Sequence, residues 1–276
     1  MKTALVTGAS AGIGRELVRQ LVRDRGMTVL ATARRLDRLH ELAAELPEGS
    51  VHVLDGDLAD SAFRARLWHH AETVFPGGPD LLINNAGLGN YAEFASQDQA
   101  AWQSIIDVNI IALMDLTQKA ANRMKARGSG QIVQISSILG FVGIPYSAVY
   151  VASKHFVNGL VKSLRYELRG SGVRVWAACP GRTESEFASA ALGRRGEKGR
   201  DAKGTPTDRV VRRIVNQIDG RKRFLIPDFG PSVMVAIAHW LPAPFEWVMQ
   251  RWSPAYFRRE VEAAGGRLQK TTGGDP

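Results

Sequence analysis

Residues 3–7 make a short apolar run that leads directly into Gly8-Ala9-Ser10-Ala11-Gly12-Ile13-Gly14, and a helical pattern follows over 15–25. No other stretch constrains the fold as much. A strand that turns sharply into a helix needs residues that tolerate an unusual backbone, and three glycines supply them. The same glycines let the main chain approach a pyrophosphate, whose charge is stabilised at a helix N-terminus. A glycine pattern alone is weak evidence, but the strand before it and the helix after it give the context this motif requires. Its spacing is G-x-x-x-G-x-G, not G-x-G-x-x-G.

The rest of the chain keeps the same rhythm. Further strands are expected at 28–33, 51–54, 80–83, 131–136, 173–178 and 223–227, with helices at 60–75, 102–127, 150–169 and 206–219. Strands alternating with helices imply an α/β fold: a Rossmann-like, doubly wound parallel sheet of about seven strands, with right-handed crossovers and helices on both faces. A chain of 276 residues fits one large domain. Residues 1–229 carry the pattern, and 230–276 add an apolar extension and a polar tail to the same domain. The Gly-, Arg- and Ala-rich stretch 182–204 is expected to form a mobile lid.

The chemistry concentrates in 137–154, which reads S-I-L-G-F-V-G-I-P-Y-S-A-V-Y-V-A-S-K. Tyr150 and Lys154 are four residues apart and share a helix face. An ammonium beside a phenol favours the phenolate and is expected to lower the Tyr150 pKa toward the range of a general acid/base. Ser137 follows an apolar strand, so its hydroxyl is expected at the strand's carboxyl end, where open α/β sheets bind ligands. A lone Tyr-x-x-x-Lys is more often a surface pair, and only its context raises it. Asn109 interrupts the apolar set of the helix over 102–127; spacing alone favours a buried, hydrogen-bonded amide over part of a proton relay. Arg34 lies 20 residues beyond Gly14, where an acid suits NAD and an arginine the NADP 2′-phosphate. Arg34-Arg35 reads either as that phosphate seat or as a solvated turn, and Asp37 is the nearest acid.

Composition narrows the partners. The single cysteine, Cys179, excludes an intramolecular disulfide and suits a reducing, cytoplasmic compartment. No charged leader with an apolar core precedes the first strand. The histidines show no metal-ligand spacing, and no metal is expected. Residues 194–223 hold 11 Lys/Arg against 4 Asp/Glu, so most of the net +9 sits there. No aromatic platform or recognition module accompanies that cluster, which argues against nucleic acid.

Together these residues resemble the short-chain dehydrogenase/reductase family over residues 1–229. The matching motifs are Thr7-Gly-Ala-Ser-Ala-Gly-Ile-Gly14, Asp57-Leu58, Asn84-Asn-Ala-Gly87, Asn109, Ser137, Tyr150-x-x-x-Lys154 and Pro180-Gly181. The resemblance implies an NADP-dependent enzyme acting on a carbonyl or alcohol. Tyr150 would exchange the proton and Ser137 would hold the substrate oxygen. Lys154 would tune Tyr150 and hold the nicotinamide ribose, while Asn109 would support a water linking Lys154 to solvent. NADP(H) would lie against Gly8, Ser10, Gly12, Ile13 and Gly14, with Arg34 and Arg35 near its phosphate. Asp57 would contact the adenine, Asn85 the adenosine ribose side and Thr183 the nicotinamide amide. Leu58, Ala86, Gly87, Pro180 and Gly181 would complete the cofactor site. The family often assembles dimers or tetramers through its two long central helices. The competing readings are a catalytically idle NADP-binding redox sensor and an epimerase or dehydratase of the same family.

Beyond residue 229 the chain departs from the bare family pattern. Residues 231–252 are apolar, hold three of the six tryptophans and are interrupted by Pro242 and Pro244. This segment is too broken to span a bilayer. It is expected to wall a pocket or an interface, or to rest on anionic lipid. Either way it points to an apolar substrate.

Overall fold

The computed structural model describes residues 2–187 and 204–263, with residues 254–263 described by backbone alone. Most of the expected lid, part of the basic cluster and the polar tail lie outside the described residues.

Seven parallel strands form one sheet: β1 (Thr3–Thr7), β2 (Thr28–Ala33), β3 (Val51–Asp55), β4 (Leu81–Asn84), β5 (Gly130–Ile135), β6 (Val173–Ala178) and β7 (Phe224–Leu225). Their spatial order is β3-β2-β1-β4-β5-β6-β7. The order reverses between β1 and β4, and that reversal opens a crevice at the carboxyl ends of the strands. The central strands are apolar runs because both faces are covered.

Side-chain alternation along the strands feeds two cores. Ala4 and Val6 face α1 (Gly12–Arg25), α2 (Leu36–Ala44) and the later α7 (Thr207–Gln217), while Leu5 faces α3 (Ser61–Val74) and α5 (Leu113–Arg127). Leu17, Leu21, Leu39 and Ile214 fill the first layer, and Phe63, Leu67, Leu116 and Ala120 the second. Each such fully buried Leu, Ile or Phe contributes about 1.5–3 kcal/mol.

The helix expected over 102–127 is divided. It comprises α4 (Gln99–Ile106), a π turn (Asp107–Ala112) and α5, so the single regular helix is corrected to two joined by a bulge. A π turn holds one extra residue and commonly marks a functional site. Asn109 lies inside it. The helix α6 (Ala148–Glu167) carries Tyr150 in its first turn. The nine-residue α2 was not anticipated from the sequence.

The C-terminal segment folds as α8 (Phe229–Trp240) and α9 (Pro242–Ala263). Leu241 and Pro242 separate them, because proline's ring disfavours helical backbone in the residue before it. No described helix is long and apolar enough to cross a membrane.

Candidate active site

The glycine loop is a cradle with no room for side chains. A Cβ on Gly14 would lie 2.2 Å from the Gly8 carbonyl oxygen, and one on Gly8 would lie 2.8 Å from Ala86 Cα. Gly8 and Gly12 also have positive φ, 67° and 53°, which glycine adopts without strain. The first turn of α1 contains no acidic residue and its N-cap, Ala11, makes no side-chain cap. Its leading amides are therefore available to an anion. These features fit a dinucleotide.

Asn85 stands behind the loop. Its Nδ2 donates to the carbonyls of Thr7 (3.0 Å) and Gly8 (3.2 Å). The Thr7 hydroxyl in turn accepts from the amides of Asn85 and Ala86, both at 3.0 Å. The Asn85 side chain thus braces the loop, where the family resemblance gave it to the adenosine ribose. Ile13 is half-buried beside the first core layer. At the far end of the crevice Arg35 donates to Ser10 Oγ from Nε and Nη2, each at 3.3 Å, and pairs with Glu186 at 3.2 Å. Arg34 is exposed beside it. Asp57 is exposed and accepts from Ala59 N at 2.9 Å, while Leu58 is buried.

The structure brings the four expected catalytic residues onto neighbouring elements. Ser137 follows β5 and its Oγ accepts from Leu139 N at 3.1 Å, which fixes the short turn Ile138–Gly140. Tyr150 is half-buried, hydrogen-bonds Ser137 and lies beneath the Phe187 ring, with centroids 5.6 Å apart. Lys154 is buried; its Nζ donates to the Ile135 carbonyl at 2.9 Å and sits 5.6 Å from the Tyr150 ring centroid. Asn109 is buried: Nδ2 donates to Leu88 O (2.9 Å) and Ser153 Oγ (3.0 Å), and Oδ1 accepts from Leu88 N (2.8 Å). Its amide therefore ties the segment after β4 to α6, the structural role that spacing favoured. Gly87 lies beside both groups: a Cβ on it would make ordinary contact with Asn109 Oδ1 at 3.4 Å and Lys154 Nζ at 3.7 Å.

One expectation is corrected. Tyr150 is not held below its ordinary pKa. Burial pushes the phenol up, the hydrogen bond with Ser137 only partly opposes this, and the neighbouring Tyr91 adds to the rise. The Lys154 ammonium lies over the ring face and spends its hydrogen bond on a backbone carbonyl, so it does not offset the loss of water. Burial lowers the Lys154 pKa itself to about 8.

Pro180 and Gly181 follow β6, and Pro180 O accepts from Ile138 N at 3.1 Å. Pro231 of α8 packs on Gly181, whose Cβ, if present, would be 2.8 Å from Pro231 Cγ. Thr183 is half-buried, within 3.4 Å of Gly181 O. Sequence reasoning missed Asn158, which accepts from Ser136 Oγ (2.8 Å) and donates to Gly140 O (2.9 Å), pinning both sides of Ser137. Its place four residues after Lys154 on one helix face was the available signal. Phe187 and Glu186 were also missed. Among the described residues no cluster of His, Cys, Asp or Glu is placed to hold a metal.

A glycine cradle at the switch point, with a hydroxyl pair and a buried amine beyond it, defines a dinucleotide-dependent oxidoreductase. The chain belongs to the short-chain dehydrogenase family, whose profile matches residues 2–194. A farnesol dehydrogenase of Aedes aegypti is 36% identical over 195 residues, covering 67% of this chain and 79% of that protein. Two solved structures share the fold. A short-chain dehydrogenase from Sphingobium yanoikuyae in complex with NADPH has a TM-score of 0.75 at 28% identity, covering 100% of this chain and 99% of its own. A family member from Burkholderia phymatum in complex with NAD has a TM-score of 0.78 at 22% identity, covering 86% of this chain and 92% of its own.

In the free protein Lys154 is expected to titrate near 8, well below the ordinary 10.5, because burial penalises its cation. Its charge is present below that pH and lost above it. NMR of side-chain-labelled lysine, assigned with Lys154→Arg, measures this; a midpoint above 10 would show a solvated ammonium and a site more open than described.

Proposed function

We propose that this protein is an NADP-dependent oxidoreductase that moves a hydride between nicotinamide and a carbonyl or secondary alcohol of an apolar substrate. The hydrogen-bonded pair of Ser137 and Tyr150 hydroxyls beside the buried Lys154 carries this reading. A bound nicotinamide supplies or accepts the hydride. The chain's own residues hold the substrate oxygen at Ser137 and exchange its proton at Tyr150 Oη. Burial favours the neutral phenol, the form that donates in carbonyl reduction, and the same oxygen takes the proton back in oxidation. Lys154 holds the nicotinamide ribose, and its bond to Ile135 O fixes where that amine points. Asn109 keeps the wall behind Lys154 in place and supports the water that connects it to solvent.

Arg34 and Arg35 support NADP over NAD, as does the NADPH complex of the Sphingobium yanoikuyae relative. The farnesol dehydrogenase similarity supports an apolar substrate, and so does the C-terminal segment. That segment divides its work. Ala238, Pro242, Phe245 and Met249, together with the polar His155, Glu246 and Gln250, line a cavity of about 270 Å³ against Phe141 and Val142 of the loop after Ser137. Trp240, Trp247 and Trp252 face outward instead, at 78%, 65% and 69% exposure. We read the cavity as an extension toward the substrate and the outward indoles as a peripheral contact with anionic lipid. Ile111 and Met114 on the long helical pair and Phe156 and Tyr166 on α6 are exposed, which supports a homodimer or homotetramer joined through those helices. The free, buried Cys179 supports a cytoplasmic setting. An idle redox sensor would not need the complete Ser137, Tyr150, Lys154 and Asn109 set, and the similarity to a farnesol dehydrogenase does not favour an epimerase or dehydratase.

Tyr150→Phe is expected to abolish NADPH oxidation across a panel of ketones, aldehydes, ketosteroids and long-chain carbonyls while leaving NADPH binding nearly intact. More than about a tenth of the activity remaining would remove Tyr150 as the acid.

Arg34→Ala and Arg35→Ala are each expected to weaken NADPH and to leave NADH nearly unchanged. A charge-assisted bond contributes about 1.5–3 kcal/mol, which corresponds to roughly ten- to a hundredfold in affinity. Equal losses for both cofactors would exclude the phosphate contact.

Co-sedimentation with anionic vesicles is expected at low salt and is expected to fall at high salt and in a Trp240→Ala, Trp247→Ala double variant. Absence of binding at low salt would reject the lipid contact and leave the cavity wall as the segment's role.

A further inference from the structure

Residues 185–187 cross the crevice as a strap, and each of the three makes a contact there. Ser185 covers the glycine loop, with its Cβ 3.0 Å from where a Cβ on Gly12 would sit. Glu186 Oε2 accepts from both Nη1 and Nη2 of Arg35, each at 3.2 Å. Phe187 rests on the ring of Tyr150, 5.6 Å between centroids and tilted by 48°. Three consecutive side chains therefore meet the phosphate cradle, the arginine at the adenosine end and the catalytic phenol.

The Arg35 contact is the informative one. Its guanidinium takes a hydroxyl from Ser10 on one side and a carboxylate from Glu186 on the other. A guanidinium fork suits carboxylate and phosphate alike, so the two anions compete for it. The Arg35 and Glu186 side chains are 45% and 57% exposed, so their ion pair is weak and easily exchanged.

We propose that Glu186 is a specificity-determining residue whose carboxylate occupies the seat that a 2′-phosphate would take on Arg35. A cofactor bearing that phosphate displaces Glu186 and with it the strap over Tyr150. A cofactor without the phosphate leaves Glu186 in place. This deepens the NADP reading above and rests on it. It links the adenosine end of the cofactor to access at the catalytic end through three adjacent residues.

The test uses 2′,5′-ADP and 5′-AMP, which differ in the phosphate and do not carry the nicotinamide. Calorimetric titration of the full chain is expected to show preference for 2′,5′-ADP. Glu186→Gln and Glu186→Ala are each expected to tighten 2′,5′-ADP about two- to fivefold, the range an exposed ion pair spans, and to leave 5′-AMP unchanged. In an Arg35→Ala background the Glu186 substitutions are expected to have no effect. Hydrogen exchange at residues 184–187 is expected to rise on adding 2′,5′-ADP but not 5′-AMP, and to be high without ligand in Glu186→Gln. If Arg35→Ala weakens 2′,5′-ADP while both Glu186 variants bind it as the parent does, Glu186 is not a competitor and the NADP reading survives. If the parent binds the two nucleotides equally and Arg35→Ala changes neither, both ideas fall together.

Discussion

The site depends on keeping an amine out of water. Lys154 is almost fully buried, and its Nζ has the Ile135 carbonyl for a partner. Removing an ammonium from solvent is costly unless hydrogen bonds replace what is lost. The surrounding structure follows from that requirement. β5 must end where its last carbonyl reaches Nζ, and α6 must start close enough to place Tyr150 one turn earlier. Asn109 must hold the opposite wall. Asn158, a further turn along α6, ties Ser136 and Gly140 to the same helix. One face of α6 thus carries phenol, amine and anchor in consecutive turns.

Much of this was legible in the sequence because it is local. Strand runs, the glycine loop and the four-residue spacing of Tyr150 and Lys154 are short-range patterns, and six of the seven strands fall within a residue or so of where the pattern puts them. β6 matches at both ends. What was lost depends on distant parts of the chain. The Arg35–Glu186 pair joins residues 151 apart, and no periodicity encodes it. The shift of Tyr150 was misjudged for a related reason: spacing shows that an ammonium is near, but only packing shows that the phenol is partly withdrawn from water and that the ammonium's hydrogen bond goes elsewhere. The short α2 escaped because its two buried residues, Leu39 and Leu42, are too few to establish a helical period.

The C-terminal segment shows how composition can mislead about direction. Its apolar content invites the reading of a pocket wall, yet the two helices sort their residues. Phe245 and Met249 turn inward while the tryptophans turn out. Pro231 anchors the start of α8 on Gly181. The start of α8 is therefore held at the turn that follows β6.

The π turn at Asp107–Ala112 sets a limit on how this chain can vary in length. Each residue of an ordinary helix turns the next by about 100°. A deletion within the turn would convert it to regular helix and rotate everything on one side relative to the other. Either Asn109 would leave Leu88 and Ser153, or Leu116 and Ala120 would leave the core. Substitutions along this helical pair can be absorbed position by position, whereas a single lost codon here would set the site and the core against each other.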